Sequence, residues 1–169
     1  MLKYTKVLTM AGATAAIAAS GLLMGAGAAS ANPSDTNTCQ PGQVSAFAKE
    51  VPSNSADTAN FVIEFRTTTP GTQCLLTGLP QDLVFHDAGG SDLGLSNYTT
   101  GSQNHQVLLD DTHPAQVDLH SPVAQDSGAP SIQATFTMAN STTGIPFSIA
   151  WPTDINGPVE IGQLTGGAA

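Results

Sequence analysis

Positive charge is scarce in this chain. Four Lys and Arg stand against 13 Asp and Glu among 169 residues, a net charge of −9 with histidine neutral. Two of the four cations, Lys3 and Lys6, sit at the very start; beyond residue 31 only Lys49 and Arg66 face all 13 acids, a net charge of −11. A protein that binds nucleic acid neutralises phosphates with Lys and Arg, so nucleic acid is excluded as a partner, and anionic lipid surfaces for the same reason. Cysteine is nearly absent as well: Cys39 and Cys74 are the two, they are not spaced C-x-x-C, and no third or fourth thiol exists. After residue 31 no apolar run is long enough to span a bilayer. There is no G-x-S-x-G elbow, P-loop, G-x-G-x-x-G or H-E-x-x-H. No catalytic residue is assigned and no cofactor is expected.

What is present begins with an export signal. Lys3 and Lys6 form a positive n-region, an Ala-, Gly- and Leu-rich stretch follows, and Ala29-Ser30-Ala31 fits an A-x-A cleavage site. Residues 1–31 are therefore read as a signal peptide, against the competing reading of an uncleaved anchor. The residues before Cys39, Ser34 to Thr38, are polar and do not form a lipobox. The remaining 138 residues suit one secreted, extracellular domain with no membrane contact after signal cleavage. In an exported chain two cysteines most simply pair, closing a loop of roughly 36 residues worth about 3 to 4 kcal/mol in chain entropy. A pair of metal-binding or redox thiols is the alternative.

The hydrophobic period is two. Phe61, Ile63 and Phe65 alternate with Val62, Glu64 and Arg66; Ile132, Ala134, Phe136 and Met138 alternate with polar residues; Ile145, Phe147, Ile149 and Trp151 alternate with Pro146, Ser148 and Ala150. Each set predicts a strand with one buried face. Shorter strands are predicted at QCLLTG, DLVFHD, HQVLLD, AQVDLH and PVEIGQL, and a first strand near Val44 to Lys49. Pro70-Gly71, Gly89-Gly90, Asn140 to Gly144 and Asn156-Gly157-Pro158 mark turns between them. Pro146 inside a strand-like run points to an edge strand or a bulge. Many short strands, regular turns and almost no helical pattern predict an all-β, antiparallel β-sandwich. The expected organisation is a disordered lead-in over residues 32–38, a single β-sandwich domain over 39–164, and a frayed tail over 165–169.

The stretch FVIEFRTTTPGTQCLLTGLPQDLVFHDAGGSDL, with Cys39 before it and VLLDDTHPAQVDL after it, resembles secreted actinobacterial proteins grouped as domain of unknown function 4232. The likeness spans residues 39–151 and is most specific at QCLLTGLP, Gln73 to Pro80. Leu79 stands where an aromatic is common, and His113-Pro114 where Pro-Gly is usual. The resemblance implies an immunoglobulin-like sandwich stapled by a disulfide between Cys39 and Cys74, with Cys74 on a strand, and it implies no catalytic residue. Gly78 is expected to adopt a backbone conformation that other residues avoid, and Pro80 to start the next segment.

Histidines with nearby carboxylates are the remaining chemistry: His86; Asp110, Asp111 and His113; Asp118 and His120. His and carboxylate sets with an open position bind zinc or another divalent ion. The competing reading places Asp118 and His120 on the solvent face of a strand and Asp110 and Asp111 in a turn, where Asp satisfies backbone N–H groups. The sequence thus points to a secreted non-enzymatic β-sandwich module acting through surface binding, with an extracellular protein or glycan as partner. The alternatives are a divalent-cation-binding protein or metal-dependent extracellular enzyme, and a protease inhibitor presenting residues 140–146 or 95–104. Oligomeric state and partner identity have no sequence signal.

Overall fold

The computed structural model describes residues 37–123, 129–139 and 144–167. The signal peptide expected over residues 1–31, residues 32–36 of the expected lead-in, residues 124–128, the turn expected over 140–143 and Ala168-Ala169 lie outside the described residues. Within them there is no helix. Ten strands follow in chain order: β1 (Val44–Val51), β2 (Thr58–Thr67), β3 (Cys74–Thr77), β4 (Pro80–His86), β5 (Asn97–Thr99), β6 (Gln106–Leu109), β7 (Ala115–Pro122), β8 (Gln133–Met138), β9 (Ile145–Ala150) and β10 (Val159–Gly166).

They form three sheets. One has five strands in the order β1-β2-β7-β10-β5, one has three in the order β4-β8-β9, and β3 pairs with β6. All neighbours are antiparallel except β10 and β5, which run parallel with Val159 opposite Asn97. Because successive strand side chains point to opposite faces, the alternation in sequence becomes alternation in burial. In β7, Ala115, Val117, Leu119 and Ser121 are buried while Gln116, Asp118 and His120 are only partly covered. β8 repeats the pattern with Ala134, Phe136 and Met138.

One core joins the sheets. Phe61, Ile63 and Phe65 of β2 are buried, and they meet the aromatics of the three-stranded sheet: Phe61 lies 4.9 Å from Trp151, and Phe65 lies 5.6 Å from Phe147 and 6.2 Å from Phe136. Phe85 reaches Trp151 from β4 at 4.8 Å. Edge-to-face aromatic pairs of this kind add to the stabilisation from buried area.

Cys39 and Cys74 form a disulfide, with Cα atoms 4.8 Å apart. Cys74 lies on β3, and the strand is further tied to the N-terminal segment by the Cys39 N–H donating to the Leu75 carbonyl and the Leu75 N–H donating to the Asn37 carbonyl, both at 3.0 Å. Asn37 and Thr38 therefore run as a parallel bridge beside β3, which corrects the expectation that the lead-in extends to residue 38. At the other end β10 runs to Gly166, with Thr165 opposite Gln116 and Gly166 opposite Ala115. Those two residues belong to the sheet and not to a frayed tail.

One further expectation is corrected. Ile132, placed on the inward face by alternation, is 53% exposed; β8 starts at Gln133, and Ser131 is buried in its place, its hydroxyl donating to the carbonyls of His86 and Gln133. β5 carries no alternating apolar residues and exists because β10 offers it an edge. Pro146 does sit on an edge strand, since β9 borders the three-stranded sheet. Gly78 does adopt positive φ, +84°, between β3 and β4; a Cβ there would stand 3.0 Å from the Ala139 carbonyl oxygen and 3.1 Å from that of Gln103.

Candidate functional site

The Asp110 to His113 turn links β6 to β7. Asp110 gathers this turn around its carboxylate: the backbone N–H groups of Thr112 and His113 donate to Oδ1 at 2.8 Å each, the Thr112 hydroxyl donates at 2.9 Å, and His113 Nδ1 lies at 2.9 Å. Four donors on one carboxylate favour its charged form. Asp110 is accordingly held far below the usual carboxylate range, by the His113 hydrogen bond first and by Thr112 next. Asp111 points the other way and clamps the β2–β3 loop, its Oδ1 accepting from the Thr67 hydroxyl at 2.9 Å and its Oδ2 from the Gly71 N–H at 2.6 Å.

Two open hollows flank this pair of acids. One of about 350 Å³ is lined by Arg66, Thr67, Thr68, Pro70 and Pro114 with both aspartates, and one of about 220 Å³ by Gly71, Thr72, Gln73 and Thr112 with the same two. The carboxylates shaping both hollows already hold backbone and hydroxyl groups.

The other sequence candidates lie apart from this turn. His86 ends β4 with Nε2 2.9 Å from the Thr135 hydroxyl, and its buried Nδ1 has no partner among the described residues. The next residue, Asp87, accepts the N–H groups of Gly89 and Ser91 and so builds a turn. His120 stands on the outer face of β7, its Nδ1 bonded to Asn60 Oδ1 of β2 at 2.8 Å, and Asp118 shares that face two residues away. Among the described residues no group of three or more His, Cys, Asp or Glu is arranged to hold a metal ion. His86, Asp110, Asp111, His113, Asp118 and His120 are not brought into one site. Of the two segments considered for an inhibitor, residues 95–104 form an edge strand followed by a docked turn, with the Thr100 N–H donating to the Ile161 carbonyl and the Ser102 N–H donating to Gln163 Oε1. The other proposed inhibitor loop, residues 140–146, lies outside the described residues over 140–143.

What the structure does assemble is a row of fixed polar side chains on the outer face of the five-stranded sheet. Tyr98 on β5 donates its hydroxyl to Glu160 Oε2 on β10 at 3.2 Å, and the Thr100 hydroxyl donates to Oε1 at 3.0 Å. The bond to Glu160 raises the Tyr98 pKa. Glu160 lies opposite His120, and His120 opposite Asn60, so the row crosses four strands. Beside it, Lys49 and Arg66 both bind Glu64, with Lys49 Nζ 2.8 Å from Oε2 and Arg66 Nε bonded to Oε1. Glu64 is held below the usual carboxylate range by Lys49 first and Arg66 as well, with burial opposing. Phe47 lies opposite Glu64 and is 56% exposed. Tyr98 and Glu160 are distant in sequence from each other and from Asn60 and Glu64 of β2, and the four carry no common motif. The sequence signals for this face were the outward alternation of Glu64 and Arg66 and of Asp118 and His120.

No family model, curated protein or solved structure matches the chain.

Proposed function

We propose that the protein is an exported, non-enzymatic module of immunoglobulin-like sandwich form that acts by surface binding, with the outer face of the five-stranded sheet as its contact surface and an extracellular glycan or protein as its ligand. The observation that carries this reading is the row Tyr98, Glu160, His120 and Asn60. Side chains already held by hydrogen bonds lose little freedom when a ligand docks, and an amphipathic Tyr at the row's end adds contact area at low entropy cost. The Cys39–Cys74 disulfide supports export, because such bonds persist in oxidising compartments. The use of Asp110 and Asp111 as turn and loop clamps supports a structural role for the acids nearest the two hollows.

The test is binding of the protein to a glycan array and to envelope and secreted-protein fractions, repeated with Tyr98→Ala and His120→Ala and, as a control remote from the face, Asp92→Asn. Loss of a specific signal in the two face variants alone supports the reading. Equal binding by all variants overturns the assignment of the face. A hydrolytic activity that one point substitution abolishes overturns the non-enzymatic reading.

A further inference from the structure

Sheet edges offer unpaired backbone groups, and proteins commonly shorten, interrupt or cover them. Most edges here are treated in that way. β5 has three residues, and β3 and β6 have four each, with Asn37 and Thr38 running beside β3. β9 carries Pro146, which cannot donate. β4 is broken by an irregularity between Gln81 and Val84, with Asp82 at φ 52°, and its outer carbonyls are taken: Phe85 accepts from the Leu93 N–H at 2.9 Å and Leu83 from the Asn97 side-chain amide at 2.8 Å.

β1 is the exception. Its eight residues stay in unbroken antiparallel register with β2, from Val44 opposite Thr67 to Val51 opposite Asn60. It has no proline, glycine or bulge. In an antiparallel pair every second residue turns its N–H and C=O away from the partner, and among the described residues nothing accepts or donates there. Phe47, fourth of the eight, is the most exposed of the large apolar side chains. Of the two charges on β1, Lys49 is turned across the sheet face onto Glu64, and Glu50 stands next to last on the strand, three residues from Phe47.

Charge selects the occupant. β1 and β2 together carry Lys49 and Arg66 against Glu50 and Glu64 and sum to zero, while the other 11 acids of the chain lie elsewhere. An acidic protein repels its own copies, and the neutral β1–β2 pair, which holds both remaining cations, lets a second copy approach this edge without net repulsion. We propose that β1 pairs with β1 of a second copy of this chain, antiparallel about a two-fold axis at Phe47, joining two five-stranded sheets into one of ten strands. A two-fold contact presents the same strand from both sides. Phe47 then meets the second copy's Phe47 on the outer face, Ser45 meets Lys49, and Ala46 meets Ala48 on the inner face. The proposal is independent of the ligand reading: a dimer that binds no ligand overturns that reading and leaves this one standing.

Sedimentation velocity on the secreted protein over a concentration series at physiological salt is the first test, with hydrogen exchange at low and high concentration as the second. The expected result is a monomer–dimer equilibrium in which alternate β1 amides gain protection as dimer forms. Phe47→Lys, whose new charge faces Glu64 within its own sheet, keeps the wild-type melting temperature and weakens dimerisation by at least about tenfold. Phe47→Tyr retains the dimer. A monomer at the highest concentration, a dimer indifferent to Phe47→Lys, or a dimer that leaves β1 amides unprotected overturns the proposal.

Discussion

Removing the disulfide with the double substitution Cys39→Ala and Cys74→Ala destabilises the domain by about 3 to 4 kcal/mol, from a loop of roughly 36 residues and the chain-entropy relation. The magnitude follows from the sequence separation of 35. Both residues are 1% exposed, and alanine fills part of the space, so the packing loss is the smaller contribution. Substituting both avoids a leftover reactive thiol. What then holds the N-terminal segment to β3 is the pair of backbone bonds between Asn37, Cys39 and Leu75. For a domain of this size the loss corresponds to a melting temperature lower by about 10 to 18 °C. Urea unfolding of the oxidised and substituted proteins measures it directly. The unfolded chain without the cross-link is more expanded, so the m-value of the variant is expected to rise. A loss below about 1 kcal/mol with an unchanged m-value would refute the reasoning, because it would mean that the unfolded chain is equally restricted with and without the bond.

Three other outcomes follow from the geometry. Gly78→Ala forces a Cβ into positive φ against two carbonyl oxygens and is expected to lower stability by about 1 to 3 kcal/mol, read as a shift in urea midpoint; a neutral result would sink the backbone argument. The depressed Asp110 pKa stabilises the fold above the unfolded carboxylate value of about 3.9 and ceases to do so as pH falls towards the folded value, so the stability gap between wild type and Asp110→Asn is constant near neutral pH and closes in acid; a gap that widens below about pH 4 contradicts it. Thermal melts in calcium, zinc and EDTA are expected to superimpose, since the described His and Asp residues form no metal-holding group; a chelator-sensitive melt with stoichiometric bound metal would reverse this reading.

Strand placement was legible wherever burial is decided by neighbours along the chain. Val117 and Leu119 alternate with Gln116, Asp118 and His120 in the sequence, and they alternate in burial in the sheet, because period two is a property of the extended backbone. The acid turn was legible for the same reason, since Asp110 satisfies N–H groups only two and three residues away. The rule failed at Ile132, where the chain has left the ladder and alternation no longer applies.

The sequence by itself determined the all-β character, the inward Phe, Ile and Trp positions within the strands, and the acidic composition, all set by local pattern or by residue content. Only the tertiary structure decided that Asp111 holds Thr67 from 44 residues away, that Tyr98 lies on Glu160 across 62, and that both cations converge on Glu64. It also decided which edge stays open, because β9, β4 and β5 are interrupted, covered or short at the sheet borders while β1 is none of these. A strand's own residues specify which face it buries; its neighbour is chosen by loop closure and core packing, to which residues far apart in the chain contribute together.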